Sequence, residues 1–368
     1  MIMIKELFES NCIKVGNFKL KNGDISKYYF DMKNIISHPK LLSKIGDLLY
    51  EKLNDFDIIC GIPYGGLPIA LYISTKYNKP LIFVRDKIKD YGTQKLIEGE
   101  HKSTDRCVII DDVITTGKSL QETIDIIQNK VNIVDVAVIF NRQQNYDCSL
   151  PVKSLLYKND VVKYRLNEIK MLKNSKLCFS ADIEDTQKLF NILDIIGNHI
   201  VICKIHYDII NDKDMSFKNK IIDMSIKYNF LIMEDRKFND ISYIVNKQYN
   251  KFCNWVDLVT VHSLVSNDVV ANLSGALLVA NMSNNNYDFT EKAIDLANHN
   301  PNNVVGFITQ NRINCSDMVC MTPGISSIQN KVNDQKYRKH NEVDTDFVIV
   351  GRAIYNSTNL ETDINNFI

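Results

Sequence analysis

The sequence predicts a two-domain α/β protein, a parallel α/β sheet domain followed by a (β/α)8 TIM barrel. Three observations carry that expectation. The chain has 368 residues, more than one hydrophobic core usually organises, so length alone points to two domains. Apolar runs alternate with segments of helical period, and the runs are continuous, as strands buried on both faces of a parallel sheet are. The second half holds eight such runs, the number a closed barrel needs. Hydrophobic residues at 45% and charged ones at 24% are ordinary for a globular protein.

In the first half the runs are FDIICGIPY, PLIFVRD, CVIIDDV and VDVAVIFNR. A charged segment, YKNDVVKYRLNEIKMLKNSK (157–176), then breaks the pattern and reads as a helical connector. It places the boundary near 165, giving domains 1–165 and 166–368. The eight later runs are LCFSADI (177–183), HIVICKIHYDI (199–209), FLIMEDR (230–236), DLVTVHSL (257–264), GALLVANM (275–282), VVGFITQ (304–310), DMVCMTPGI (317–325) and DFVIVGRAI (346–354). The link between the sixth and seventh is too short for a full helix. Asp182, Lys204, Asp235 and Arg352 stand at C-terminal ends of runs, the face on which barrels build active sites.

Lys plus Arg and Asp plus Glu number 44 each, so no net field draws the chain to nucleic acid or to an anionic membrane. Lys5, Glu6, Glu9, Lys14 and Lys19 interrupt any signal-peptide core, and no run approaches the roughly 18 apolar residues of a membrane span. The nine cysteines form no CxxC pair, and Cys60, Cys107 and Cys203 lie inside apolar runs. Buried reduced thiols in a cytoplasmic protein are expected, ahead of a zinc site or a disulfide framework.

The sharpest motif is VIIDDVITTGKS (108–119). An apolar strand ends in Asp111 and Asp112, and the TTGKS turn leads into a segment of helical period. Such a turn aims the N–H groups of Thr115, Thr116, Lys118 and Ser119 at an anion on the helix N-terminus, and Gly117 lets the chain come close. Two adjacent carboxylates would repel that anion, so they suit ribose hydroxyls with a Mg²⁺ ion nearby. A DD pair that merely caps a helix is the plainer alternative. The motif resembles the phosphoribosyl pyrophosphate (PRPP) signature of the type I phosphoribosyltransferases, which implies that fold for the first domain.

The segments FKLKNGDISKYYFD (18–31), CGIPYGGLPIA (60–70), VRDKIKDYGTQKLIEG (84–99) and FNRQQ (140–144) resemble orotate phosphoribosyltransferases over nearly all of residues 1–160. The resemblance implies that Lys21, Tyr29, Phe30 and Arg142 hold orotate, a flat carboxylate suited to aromatic stacking and a bidentate arginine. It puts Tyr64 in the pyrophosphate turn, and Arg85, the catalytic Lys89 and Tyr91 on the loop that covers pyrophosphate. Mg²⁺ is implied through PRPP. Two departures stand out: Asp86 occupies the place of a second basic residue, and Gly65 that of a lysine of the bacterial turn.

The run LIMEDRKFNDI (231–241) carries the second signal. Asp235 and Lys237, two apart on a strand, are expected to face one side. Asp240 follows a short bend, and Lys204 ends the preceding strand, so the four would alternate in sign. A DRK triplet alone usually marks a surface salt-bridge patch; an apolar strand feeding straight into it is less usual. The run resembles the DxKxxD core of orotidine 5′-monophosphate decarboxylases, and FSADI, KIHYDIIND, MTPGI and VGRAI match that family in order over about 175–368. The resemblance implies a reaction without cofactor, with Lys204, Asp235, Lys237 and Asp240 as the catalytic set. Asp182, Ile241, Asn284 and Pro323 would meet the nucleotide, and Gln335, Tyr337, Gly351 and Arg352 its 5′-phosphate. It also implies a homodimer, Asp240 and its neighbour reaching into the partner's site. The departures are Ile244 for a threonine, Asn284 for a serine, a shortened 280–290 loop and a lost glycine-bearing stretch at 265–268; altered turnover or affinity is expected, not loss.

The order of the two domains resembles that of the bifunctional uridine 5′-monophosphate (UMP) synthase family, which implies orotate to orotidine 5′-monophosphate (OMP) to UMP and CO2. Two alternatives stand beside it. One is an active transferase whose barrel is impaired or only a scaffold, for which Ile244 and the 280–290 loop are the distinguishing features. The other is a non-catalytic nucleotide-binding regulatory protein, against which stand the two preserved charge sets.

Overall fold

A computed structural model describes residues 2–20, 23–85, 95–142, 146, 148–214, 216–283, 287–326, 331–332 and 335–367. The chain forms two compact units. One comprises Met1–Lys14 and Phe30–Lys158, the other Val15–Tyr29 and Asn159–Ile368. Two strands near the N-terminus, β1 (Ile13–Lys19) and β2 (Ile25–Phe30), make a small sheet of their own.

The first unit is built on a six-stranded sheet of β3 (Ile58–Gly61), β4 (Leu81–Val84), β5 (Ile97–Glu98), β6 (Arg106–Ile114), β7 (Asn132–Asn141) and β8 (Lys153–Tyr157), in the order β5-β4-β3-β6-β7-β8. The four apolar runs of this half became β3, β4, β6 and β7, which pair in parallel. Short β5 is antiparallel to β4. After β3 the chain moves outward to β4, and after β6 it moves the other way to β7. The crevice between the C-terminal ends of β3 and β6 is therefore a topological switch point, where open α/β sheets bind ligands. Helices Gly66–Tyr77 and Lys118–Ile127 leave those two strand ends.

In the second unit the eight runs are β9 (Leu177–Ala181), β10 (Ile202–Ile205), β11 (Leu231–Phe238), β12 (Leu258–His262), β13 (Ala276–Val279), β14 (Val304–Ile308), β15 (Val319–Thr322) and, after the short pair β16 (Lys331–Val332) and β17 (Gln335–Lys336), β18 (Phe347–Val350). All eight pair in parallel, and β18 closes onto β9. Side chains alternate: Leu231 and Met233 join Ile202, Leu258 and Leu277 in one apolar cluster, while Ile232 and Cys203 join the other. That alternation separates the barrel interior from the layer under the helices.

The helix Lys158–Lys173 places Val162, Leu166 and Ile169 against the interior cluster. The expected boundary near 165 thus falls inside a helix that packs with the barrel, and the units divide at 158/159. Segment 15–29, expected in the first domain, also packs with the second unit. Lys27 is fully buried and its Nζ lies 2.6 Å from Asp257 Oδ2 and 3.2 Å from the Phe230 carbonyl. The Tyr28 hydroxyl donates to Asp257 Oδ1 at 2.6 Å, and the Ile232 N–H to Oδ2 at 2.7 Å. The buried carboxylate is fully partnered, as burial of a charge requires. All nine cysteines are unpaired thiols. Among the described residues no helix is long and apolar enough to cross a membrane.

Candidate active sites

At the switch point of the first unit, Asp111 accepts the Asp112 N–H at 2.8 Å and Asp112 that of Val113 at 2.9 Å. No ion pair ties either carboxylate to a cation among the described residues. Burial, and then the charge of Asp112, push the Asp111 carboxyl well above the usual carboxylate range. The turn from β3 presses on this pair. A Cβ on Gly65 would fall 2.1 Å from the Asp112 carboxylate, and one on Gly66 2.2 Å from the Ile110 carbonyl oxygen. The glycine that replaces a lysine is thus the residue that leaves Asp112 its place.

Beyond β6, Gly117 takes φ +79° and starts the helix Lys118–Ile127. Thr115, Thr116, Lys118 and Ser119 accordingly surround a helix N-terminus, and Lys118 Nζ lies 3.8 Å from Glu122. Phe30 stacks on Phe140 with centroids 4.1 Å apart, and the Arg142 guanidinium stands 5.5 Å from the Phe30 centroid. Tyr64 is exposed. Arg85 is paired with Glu98 at 2.7 Å, a partner that sequence reasoning missed. Tyr29 belongs to the second unit, half exposed beside Phe18. Lys21, Lys89, Tyr91 and Asn284 lie outside the described residues.

At the C-terminal face of the barrel is a cavity of about 270 Å³ whose walls include Asp182, Lys204, Asp235, Lys237, Tyr337 and Arg352, with Pro323 and Gly351 beside them. Asp235 continues the inward series Leu231, Met233 and is buried. Lys204 Nζ lies 2.5 Å from Asp235 Oδ2 and 3.5 Å from Asp182 Oδ1. Lys237 Nζ lies 2.8 Å from Asp235 Oδ1. Burial alone would raise the Asp235 carboxyl, but Lys204, with His206 and Lys237, holds it well below the usual range.

Lys237 does not reach the site by simple alternation. The β11–β12 register shifts between Glu234 and Phe238, and Lys237 sits at φ +50°, a left-handed conformation costing a non-glycine residue about 1–2 kcal/mol. Its N–H donates to Thr260 Oγ1 at 2.9 Å, and that hydroxyl donates to Asp235 Oδ1 at 2.7 Å. Strain at one residue thus carries the second ammonium to the carboxylate.

Asp240 does not join this group. It is exposed and accepts the Ile241 N–H at 2.8 Å, while Ile241 is 67% exposed. A rigid turn after the bulge points them away from their own cavity. Gln335 lies in β17, its side chain outside what is described. Three participants went unread in the sequence: Thr260, His206 and Glu234. His206 Nε2 is 3.3 Å from Asp235 Oδ2. Glu234 faces the helix layer, fully buried, and burial pushes its carboxyl up to about 8.

Residues 175–367 match the Orotidine 5′-phosphate decarboxylase / HUMPS family and residues 31–159 the Phosphoribosyl transferase domain. Over nearly its whole length the chain is similar to the uridine 5′-monophosphate synthase of Bos taurus, 30% identical across 97% of this chain and 93% of the bovine one. Its first half is 37% identical to the orotate phosphoribosyltransferase of Methanocaldococcus jannaschii, covering 47% of this chain and 97% of that protein. The orotidine 5′-phosphate decarboxylase of Pichia kudriavzevii is 34% identical over 53% of this chain and 85% of its own.

Proposed function

We propose, for a chain that belongs to the uridine 5′-monophosphate synthase family, that its halves carry out consecutive steps of pyrimidine nucleotide synthesis. The first unit joins orotate to PRPP, giving OMP and pyrophosphate. The barrel unit decarboxylates OMP to UMP and CO2. The observation that carries this reading is the Lys204–Asp235–Lys237 array at the C-terminal face of the barrel, in the same chain as the carboxylate pair and helix N-terminus of the switch point.

In the first step the turn 115–119 receives the 5-phosphate of PRPP, and Asp111 and Asp112 face its ribose hydroxyls. The donor set fits Mg²⁺: two carboxylates, one raised by the other's charge, suit an ion that takes one or two carboxylates and completes its shell with substrate phosphates and water. Bound together with PRPP, Mg²⁺ would supply positive charge for the departing pyrophosphate, with Asp111 and Asp112 holding it. Phe30 and Arg142 stack on and pair with orotate. A ring nitrogen of orotate gives up its proton and bonds to C1 of the ribose, while the C–O bond to pyrophosphate breaks, its electron pair leaving with that group and the proton passing to it or to solvent. Tyr64, Arg85, Lys89 and Tyr91 meet the pyrophosphate.

In the second step Tyr337, Gly351 and Arg352, with Gln335, hold the 5′-phosphate, and Asp182 and Lys204 the ribose. Pro323, Asn284 and Ile241 contact the nucleotide. Asp235, held anionic, crowds the substrate carboxylate. The bond from C6 to that carboxylate breaks, its electron pair stays on C6, and the Lys237 ammonium stabilises the carbanion and then protonates it. No cofactor is needed, because the charges are already placed where the transition state develops them. Asp240 and Ile241, both exposed, serve the site of a second copy in a homodimer. Nine unpaired thiols suit a cytoplasmic protein.

The test is one assay with carboxyl-labelled orotate, PRPP and Mg²⁺, following OMP and CO2 separately. Labelled CO2 with little OMP is expected. OMP accumulating without CO2 would reduce the barrel to a scaffold, and no consumption of orotate would overturn both activities.

A further inference from the structure

One member of the barrel array is used by no step above. His206 follows β10, and its Nε2 faces three groups: Lys204 Nζ at 3.2 Å, Asp235 Oδ2 at 3.3 Å and Asp182 Oδ1 at 3.6 Å. Lys204 is always a donor, so its contact with the imidazole is attractive only if Nε2 accepts. A proton on Nε2 would turn that contact repulsive and be shared instead with Asp235 Oδ2, which can accept a second donor.

The turn that carries the ring is held from behind. The Tyr207 N–H donates to Glu234 Oε2 at 3.0 Å, and Glu234 is fully buried next to Asp235. The Tyr207 ring packs against Phe217, Phe252 and Trp255, with centroids 5.7 to 5.8 Å away. The strand that positions Asp235 therefore also positions His206.

Lys204 has three N–H bonds and stands between two carboxylates. Asp235 takes one at short range, and the longer Asp182 contact leaves the ammonium free to rotate unless a third group fixes it. Resting on the decarboxylase reading, we propose that His206 is a positioning residue for decarboxylation. Nε2 accepts one Lys204 N–H, sets the rotation of the ammonium, and keeps the Asp235 carboxylate aligned between Lys204 and Lys237. It touches neither the breaking bond nor the proton delivered to C6.

The full chain with His206→Leu, close in volume but without an acceptor, tests this against His206→Gln, whose amide oxygen can accept from Lys204. A hydrogen bond to a charged group is worth about 1.5–3 kcal/mol, or roughly 10- to 100-fold in rate. His206→Leu should lose about 10-fold or more in kcat for supplied OMP. Its KM, set by the phosphate contacts, should stay within about 3-fold, and its melting temperature should not move. His206→Gln should recover most of the rate. Equal rates in His206→Leu and the wild type would overturn the proposal. So would an equal loss in both variants with a lowered melting temperature, the mark of a merely structural residue. Wild-type protein that releases no CO2 from OMP would instead overturn the decarboxylase reading, and this inference with it.

Discussion

Asp111 and Asp112, late in β6, stand side by side with no ion pair among the described residues, whereas Asp235, on β11, is enclosed by Lys204, Lys237 and His206. Asp111 and Asp235 are both buried on parallel strands and burial pushes both carboxyls up, yet the net outcomes are opposite. In the first site the neighbour has the same charge, and Asp111 is pushed up. In the second two of the neighbours, Lys204 and Lys237, are ammonium groups, and Asp235 is held down. On the proposed reading the first site would be completed by a cation that arrives with its substrate; the second carries its counter-charges with it. A site of the first kind binds a metal-bearing polyphosphate, and one of the second kind offers a fixed field to a reaction that passes through a carbanion.

The contrast breaks most visibly at Lys237. Lys237→Ala should lower CO2 release by at least about 10³-fold while leaving orotate consumption within about twofold, so OMP accumulates. Undiminished CO2 would mean that the alternating charges are not the catalytic ones.

A second break tests whether internal neutralisation also holds the barrel unit together. Lys27→Met leaves Asp257 buried without its cation, and should cost about 3 kcal/mol or more, read as a lower urea midpoint of barrel unfolding. Adding Asp257→Leu should recover part of the loss. A double variant worse than the single one would show the pair to be net stabilising.

The third prediction separates the two sites by metal dependence. Chelating Mg²⁺ should slow the transferase by about 100-fold and leave decarboxylation of supplied OMP unchanged. A matching loss in both assays would erase the distinction.

The smallest effect concerns Glu234, raised from 4.5 to about 8. An acid with a raised folded pKa contributes stability fully below its unfolded pKa and loses it as pH climbs through the folded one. The wild type should therefore weaken between about pH 4.5 and pH 8. Glu234→Gln, which cannot ionise, should match it near pH 4 and exceed it near pH 9 in denaturant midpoint. Parallel curves would show that Glu234 is charged in the folded protein.

Much of this architecture was legible in the sequence, because continuous apolar runs dictate strands wherever they occur. All eight barrel strands and strands β3, β4, β6 and β7 of the first sheet overlap the predicted runs, with β6, β7 and β11 extending past them, whereas β8 fell in no run. The turn 115–119 was also readable, since glycine at a left-handed position before a helix is a local signal. What escaped depends on partners distant in sequence. Lys237 was expected to follow Asp235 by alternation, but the bulge that delivers it is a property of the β11–β12 pairing. Thr260 and His206 look like ordinary strand-end residues until neighbouring strands bring Asp235 to them. The pairing of Lys27 with Asp257, 230 positions away, has no local signature.

That last pairing bears on how such a chain could be inherited. Segment 15–29 is encoded ahead of the first sheet but packs with the second unit. A gene cut between the halves, at 158/159, would produce a barrel that lacks Lys27 and Tyr28 and exposes a carboxylate built for burial. It would also leave the other product with a stretch that has lost its packing partner. Two ancestral proteins could be joined by one recombination, but separating them again would require each to be rebuilt. The fusion is a ratchet, and Asp257 is one of its teeth.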